Sequence, residues 1–386
     1  MPSPFTRAPS TPAPSTPAPS TPAHRPRHRR AAQGLLRTLA GAGAVLLTTT
    51  LLAGTAAGSA AATTTGQASG PDDGYPAGTR LHPARLDRGP DTRLLHAERR
   101  VIVDGDRRVR VHTPDRISLL GRTGRQYVVV AFDRSYEHWQ VLRVKRSGET
   151  VRLARGRRFV PDPVLSADGS HVALMSMIGR RTRIKVVDTG SGEVLRDRRF
   201  RGAVEIEDYG TRRLLLDRFA FGRTSTFWWN PHNNRQHRIT GKAAYIADIA
   251  ADRLGVITRD NVDGLCQKVV RLSRPRHTLW SSCTDRALAF SATGRRMVTT
   301  NIYSDGLGPR VVQVRGRRGA VQHTYRAGYF GFLRWEDDRH LLMEVGGSRT
   351  TAAVRCDASG DCELGSRLYH NGKRQPYNVM HWSIPA

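Results

Sequence analysis

Six hairpin-like segments recur along the chain at intervals of 41 to 45 residues, and this repeat constrains the fold more than any other feature. Each segment has two apolar or alternating runs joined by a tight turn. The turns centre near Gly124, Gly169, Gly210, Ala251, Gly294 and Asp338, which are 45, 41, 41, 43 and 44 residues apart. A fixed period of this length indicates a repeat architecture.

A second hairpin follows each of these six, with turns near Gly148, Gly192, Asn233, Pro275, Arg318 and Gly360. One period before Gly148 lies Gly105, inside RRVIVDGDRRVRVHT (99–113), where an Asp-Gly turn is flanked by alternating Val and Ile. The chain therefore has seven second hairpins and only six first hairpins.

Four short strands per repeat, with period-2 patterning and no helical periodicity, describe the blades of a β-propeller. We predict an all-β fold with seven four-stranded antiparallel blades, in which the chain ends share the closing blade. Its three outer strands would lie around 93–96, 101–104 and 109–112. Its innermost strand would come from a C-terminal run that contains Tyr377, Val379, Met380, Trp382 and Ile384. The alternative is a six-bladed ring with an accessory hairpin.

The first 62 residues have the features of an export signal. Residues 8–22 read APSTP three times, and such a Pro-rich run cannot bury a core. A basic stretch (24–30), a weakly apolar stretch (35–57) and three alanines (60–62) follow, in the order of a secretory signal peptide.

The predicted organisation is a lead and signal at 1–62, a linker at 63–91 and a propeller at 92–386. An uncleaved anchor and a later translation start are the alternatives. The expected location is the extracellular space or the cell envelope.

The four cysteines agree with export, because an even count in an exported chain indicates disulfides. Three pairings are formally possible. In the repeat register, Cys266 and Cys283 belong to the outer two strands of one blade, and Cys356 and Cys362 to those of another. We therefore predict the pairs Cys266–Cys283 and Cys356–Cys362, with four free thiols as the alternative.

The formal charge of +29 arises from 62 Lys and Arg against 33 Asp and Glu. Six arginines and no acids lie in 1–62, which leaves +23 (56 minus 33) on the remainder. Such an excess attracts polyanions in a salt-dependent way. However, Arg clusters at 155–158, 196–201 and 315–318 fall at predicted outer turns, where they protect sheet edges. Apolar residues make up 38% of the chain and are interrupted by charge, which excludes a polytopic membrane protein.

Two segments carry a resemblance to a known family. LSADGSHVALMS (165–176) followed by IKVVDTGSGEVL (184–195) resembles the unit of TolB-like, WD40-like propeller repeats, with Ala167 in place of the usual Pro, and FSATGRRMV (290–298) is a weaker match. The Trp-Asp ending of WD40 repeats and the Asp-box of sialidases are absent. The resemblance implies a binding platform in the cell envelope or outside the cell. Such repeats also accompany peptidases, but the predicted propeller leaves no room for a hydrolase domain.

Propellers bind ligands at the mouth of the central funnel, lined by connections between second and third strands and between blades. Candidates there are Tyr136, His138, Asp260, Asp263, Tyr303 and Asp305. Their mixture of acids, a histidine and aromatic rings suits a carbohydrate or lyase site, whereas turn formation and rim covering would explain them structurally.

We therefore predict an exported, monomeric, non-catalytic binding or scaffold module with an unknown protein or glycopolymer ligand. We expect no cofactor, no metal, no nucleic-acid partner and no integral membrane domain after signal cleavage. The alternatives are a hydrolase or lyase acting on a carbohydrate-type substrate, and an anionic-polymer binder that would need one contiguous arginine face.

Overall fold

A computed structural model describes residues 75–157, 163–220, 223–261, 264–304, 308–347, 349–370 and 380–382. All of them lie in one compact unit, Gly66–Ala386. Apart from one short 3₁₀ turn, the regular elements are β-strands. No helix in the described part of the chain has the length and apolarity to cross a membrane.

The N-terminal part contributes four strands and the 3₁₀ turn at Pro83–Arg85. These strands are β1 (Thr79–Arg80), β2 (His96–Glu98), β3 (Val101–Asp104) and β4 (Arg107–Arg110).

Six complete blades follow along the chain, each a sheet of four consecutive strands. Blade 1 contains β5 (Arg116–Thr123), β6 (Gln126–Phe132), β7 (His138–Val144) and β8 (Thr150–Arg157). Blade 2 contains β9 (Val164–Leu165), β10 (His171–Ile178), β11 (Arg181–Asp188) and β12 (Val194–Arg201). Blade 3 contains β13 (Ala203–Tyr209), β14 (Leu214–Ala220), β15 (Arg223–Trp229) and β16 (Gln236–Thr240).

Blade 4 contains β17 (Ala244–Asp248), β18 (Arg253–Asn261), β19 (Gly264–Arg271) and β20 (Thr278–Ser282). Blade 5 contains β21 (Asp285–Phe290), β22 (Arg296–Asn301), β23 (Val311–Gly316) and β24 (Val321–Arg326). Blade 6 contains β25 (Tyr329–Trp335), β26 (His340–Gly346), β27 (Thr350–Asp357) and β28 (Cys362–Leu364), and β29 (Tyr369–His370) also pairs with β27.

Blade 7 closes the ring with strands from both chain ends, in the order β30 (Met380–Trp382), β2, β3 and β4. The seven-bladed prediction is therefore confirmed, and the six-bladed alternative is wrong. The predicted strand at 101–104 is observed as such, whereas the fourth strand begins at Arg107 because Gly105 and Asp106 alone form the turn. Tyr377, Val379 and Ile384 of the predicted innermost strand lie outside the described residues.

Seven clusters of buried apolar side chains fill the spaces between neighbouring blades. The largest side chains lie between blades 2 and 3, where Trp229 is fully buried and meets Phe200 edge-on at 5.2 Å between ring centroids. Because each blade is covered on both faces, its strands can bury alternate residues in both directions.

The two disulfides join the cysteines as predicted. Cys266 and Cys283 are linked in blade 4, with their Cα atoms 4.0 Å apart. Cys356 and Cys362 are directly opposite each other on β27 and β28 and are linked in blade 6. Both bonds therefore hold the outer half of a blade.

Part of the segment expected to be a linker is packed on the ring. β1 adds to blade 5 as a fifth strand, parallel to β24, and Leu81 is buried among the side chains between blades 5 and 6. Further along, Arg355 of blade 6 donates hydrogen bonds to the carbonyl oxygens of Pro90 and Asp91. Residues 75–91 therefore follow the outside of blades 5 and 6 before they enter blade 7.

Candidate functional site

The connections between strands divide the ring into two faces. We call the upper face the one that carries the connections between second and third strands and between one blade and the next. The lower face carries the connections between first and second and between third and fourth strands. The four described candidates, Tyr136, His138, Asp260 and Tyr303, belong to connections or strand ends of the upper face.

Tyr136 lies in the connection between β6 and β7 and has a left-handed backbone conformation, with φ of 59°. Its exposed ring stacks on Phe132 with the centroids 5.0 Å apart. Its hydroxyl accepts a hydrogen bond of 3.1 Å from Arg116 Nη1. Tyr136 is thus held on the upper face of blade 1 by contacts within its own blade.

Both ring nitrogens of His138 are engaged. Nδ1 lies 2.9 Å from Asp133 Oδ2, and Nε2 accepts a hydrogen bond of 3.2 Å from Arg157 Nε. Since Nε2 is the acceptor, Nδ1 carries the proton and donates it to Asp133. The hydrogen bond from His138 in turn lowers the pKa of Asp133. Both contacts hold the imidazole against its own blade.

Asp260 and Tyr303 come from neighbouring blades. Asp260 is exposed near the end of β18 in blade 4, and Tyr303 is exposed in the connection between β22 and β23 in blade 5. The Tyr303 hydroxyl accepts a hydrogen bond of 3.3 Å from the Leu265 amide of blade 4. Asp263 and Asp305 lie outside the described residues. The described candidates therefore form one group on blade 1 and another on blades 4 and 5.

A cavity of about 740 Å³ opens on the same face between blades 2, 3 and 4. Innermost strands form most of its wall. Its lining residues are Met175, Glu205, Ile206, Glu207, Phe219, Ala244, Tyr245, Ile246 and Ala247.

Sequence reasoning did not include these residues among the site candidates. The signal that would have found them is EIED (205–208), which places acids on an otherwise apolar innermost strand.

Glu207 occupies a β-bulge in the innermost strand of blade 3. The pairing of β13 with β14 shifts register between Ile206 and Asp208, which leaves Glu207 without a partner on β14. Bulges redirect side chains in this way. Burial, followed by the charge of Asp217, raises the pKa of Glu207 to about 8, so its carboxyl group is neutral at pH 7.

Asp208 and Asp217 complete a group of acids behind the cavity, and both are buried. Asp208 accepts hydrogen bonds of 2.7 Å from its neighbour Tyr209 and from the Ile249 amide of blade 4, so it joins two blades. Burial nevertheless raises its pKa to about 6. Asp217 accepts from the Thr226 hydroxyl through Oδ1, whereas its buried Oδ2 has no hydrogen-bond partner among the described atoms.

The upper face also carries most of the exposed apolar surface. Seven large apolar or aromatic side chains in the described part of the chain are exposed. Five of them, with 43% to 63% exposure, lie on the upper face: Tyr136, Met177, Ile178, Phe219 and Tyr303. The lower face has only Val194 and Val321.

No group of three or more His, Cys, Asp or Glu side chains within the described ranges is arranged to hold a metal ion.

No protein-family model matches the sequence, and no curated protein matches it. Solved structures do. TolB from Acinetobacter baumannii shares 12% identity with a TM-score of 0.42, and the match covers 63% of each chain, so this chain spans a little under two thirds of that structure. The β-propeller domain of the Trilobed protease from Pyrococcus furiosus shares 12% identity over 64% of this chain and 84% of that one, with a TM-score of 0.44.

BamB from Moraxella catarrhalis shares 14% identity over 72% of this chain and 82% of that one, with a TM-score of 0.37. At such low identity the likeness concerns the fold alone. The seven blades are established by the strand pairing described above. The structures similar to this chain are TolB, BamB and other WD40-like β-propellers.

Proposed function

We propose that the protein is an exported, non-catalytic β-propeller that binds its ligand on the upper face. The observation that carries this proposal is the concentration of exposed Tyr, Met, Ile and Phe side chains on that face. Exposed apolar groups that are gathered on one surface mark an interaction site.

Export is part of the same proposal. The order of basic, apolar and small residues in 24–62 supports a signal peptide. The two disulfides support an oxidising compartment, either the cell envelope or the extracellular space. N-terminal sequencing of the protein recovered outside the cytoplasm should find a start after the alanines at 60–62. Recovery of the intact N-terminus there would favour the retained anchor instead.

Site-specific photocrosslinking tests the ligand face. A photoreactive residue placed at Tyr303 or Met177 should form crosslinks to a component of the cell envelope or medium. Val321 and Val194 are matched controls, because they are exposed apolar residues of the lower face. Crosslinks from the controls alone, or equal crosslinking from both faces, would contradict the proposal. Sedimentation of the purified protein tests the expected monomer.

A second candidate function, a hydrolase or lyase acting on a carbohydrate-type substrate, is favoured by one observation. Glu207 is neutral at pH 7 and lines the cavity together with the exposed Glu205. A neutral carboxyl beside a second carboxyl in a different environment is the arrangement that general acid catalysis of glycoside cleavage uses. Turnover of an oligosaccharide that disappears in Glu207→Gln, but persists in Asp133→Asn, would establish the enzyme and refute the binding module.

A further inference from the structure

The charges of the upper face suggest which partner it fits, and this inference rests on the proposed binding role of that face. Every connection between second and third strands has an exposed arginine within it or within three residues of it. The eight arginines are distributed over all seven blades: Arg99, Arg134, Arg180, Arg181, Arg223, Arg259, Arg310 and Arg349.

Seven of the eight arginines, all except Arg310, take part in no ion pair within the described ranges, and their exposed guanidinium groups can meet an external anion. The acids on the same face are fewer. Asp133 is bound to His138, Asp115 is half-buried, and Glu137, Asp260 and the cavity residue Glu205 are exposed. Asp263 and Asp305 lie outside the described residues.

The lower face is also basic, so positive charge alone does not distinguish the upper face. The described connections of the lower face expose Lys145 and eleven arginines, among them Arg125, Arg212 and Arg317. They alternate with exposed acids, which include Asp106, Glu149, Asp168, Glu193, Asp337 and Asp361. Some of these charges pair with each other, as in Lys145 with Glu149 at 2.9 Å. The combination of arginines with exposed large apolar side chains is therefore a property of the upper face.

We propose that the upper face docks onto the surface of an anionic lipid bilayer. A flat surface contacts the connections of all seven blades at once, whereas a linear polymer contacts only the blades along its path. Arginines attract anionic headgroups, and the neighbouring apolar side chains enter the boundary between headgroups and acyl chains. Met177 and Ile178 end β10 and lie three and two residues before Arg180, and Tyr136 follows Arg134 by two residues, so both kinds of group lie close together along the chain on this face.

Vesicle binding by the mature exported protein tests the proposal. The protein should bind phosphatidylglycerol vesicles in preference to phosphatidylcholine vesicles, and added salt should weaken binding. The triple variant Arg134→Ser, Arg180→Ser, Arg223→Ser should lower the partition coefficient more than about tenfold, since each arginine near such a surface contributes about fivefold. The lower-face variant Arg125→Ser, Arg212→Ser, Arg317→Ser changes net charge equally and should lower the coefficient less than about threefold.

A second measurement tests the apolar contact. Tryptophan fluorescence in Met177→Trp should shift to the blue and be quenched by brominated lipid, whereas Val321→Trp should do neither. All substituted positions are exposed, so unchanged thermal unfolding is the check that the variants fold.

Three results would overturn the proposal: equal losses from the two triple variants, no preference for phosphatidylglycerol, or no shift for Trp at position 177. Binding of soluble poly(glycerol phosphate) with the same dependence on the upper-face arginines, without binding to vesicles, would identify an anionic polymer as the partner. Upper-face crosslinks without vesicle binding would leave the proposed function standing and refute the lipid surface alone.

Discussion

Replacement of Asp217 by Asn is expected to raise the free energy of unfolding at neutral pH, because it removes a buried negative charge. Asp217 is fully buried in the second strand of blade 3, and its Oδ1 accepts a hydrogen bond of 3.3 Å from the Thr226 hydroxyl. The Asn side chain keeps an oxygen that accepts the hydrogen bond from Thr226. Its amide nitrogen takes the place of Oδ2, an atom that has no hydrogen-bond partner in the described part of the chain. The substitution therefore removes the negative charge with little change in shape.

The magnitude follows from the pKa. Burial, together with the charge of Glu205, raises the pKa of Asp217 from 3.8 to about 6, although nearby backbone amides and Thr226 oppose the rise. A difference of about 2 pKa units corresponds to about 3 kcal/mol. Because the folded pKa lies above the unfolded one, the folded chain retains a proton that the unfolded chain has released. The contribution of Asp217 to the free energy of unfolding therefore falls as pH rises from about 4 to about 6 and is constant above that.

Chemical unfolding at several pH values, with the disulfides intact, measures this effect. Asp217→Asn should match the wild type near pH 4 and exceed its free energy of unfolding by up to about 3 kcal/mol above pH 6. The control is Asp106→Asn, since Asp106 is an exposed acid in the turn between β3 and β4 and should change stability by less than about 0.5 kcal/mol.

The neighbouring Glu207 gives an independent readout. The charge of Asp217 contributes to its raised pKa, so the pKa of Glu207 should fall in the Asn variant, as followed by carboxyl NMR. A gain that is equal near pH 4 and pH 8 would show that packing rather than charge is responsible. A loss at every pH would show that Asp217 is needed as a carboxylate, and either result would refute the reasoning.

Three further predictions concern how the ring is held together. Replacing Cys266 and Cys283 by Ser should lower the free energy of unfolding by about 3 kcal/mol, and replacing Cys356 and Cys362 by about 2 kcal/mol, because the first pair closes the longer loop. Thermal unfolding of the two variants measures this order, and equal losses would contradict it. Arg355→Met should lower the free energy of unfolding by about 3 kcal/mol, since it leaves the buried Glu336 carboxylate without its ion-pair partner. Because Arg355 also holds the carbonyl oxygen of Pro90, the variant should be cleaved faster by proteases within 75–91, and unchanged cleavage there would contradict the packing of that segment. Deletion of 377–386 removes β30 and should leave blade 7 without its innermost strand. The variant should unfold at a lower temperature and bind a hydrophobic dye at its exposed apolar surface. An unchanged melting temperature would mean that the ring closes without this strand.

Local sequence patterns were sufficient for the architecture. Alternating residues, turns with Gly or Asp-Gly and a period of 41 to 45 residues each depend on neighbours a few positions away, so they identify strands and hairpins without a tertiary structure. The excess hairpin around Gly105 was enough to predict the closing blade. The cysteine pairs followed from the same register, because partners on adjacent strands of one hairpin are close in sequence.

The candidate site depended on contacts that sequence order does not reveal. Tyr303 reaches Leu265 only because blades 4 and 5 are neighbours, and the described candidates separate into two groups according to their blades. Glu207 becomes a neutral acid because a bulge and the packing of blade 4 surround it, and burial depends on residues distant in sequence.

The sequence by itself determined the all-β repeat and favoured seven blades, the closure and the two cysteine pairs, because each is a matter of strand pattern and period. The strand pairing and the disulfides of the folded ring excluded six blades and free thiols. The tertiary structure decided how the charges and apolar groups combine into surfaces. Arginines in successive repeats appear scattered along the chain, yet strand direction brings one from each blade to the upper face. Because a repeat period of four strands returns every connection of one kind to the same side, closure of the ring converts that period into a single surface.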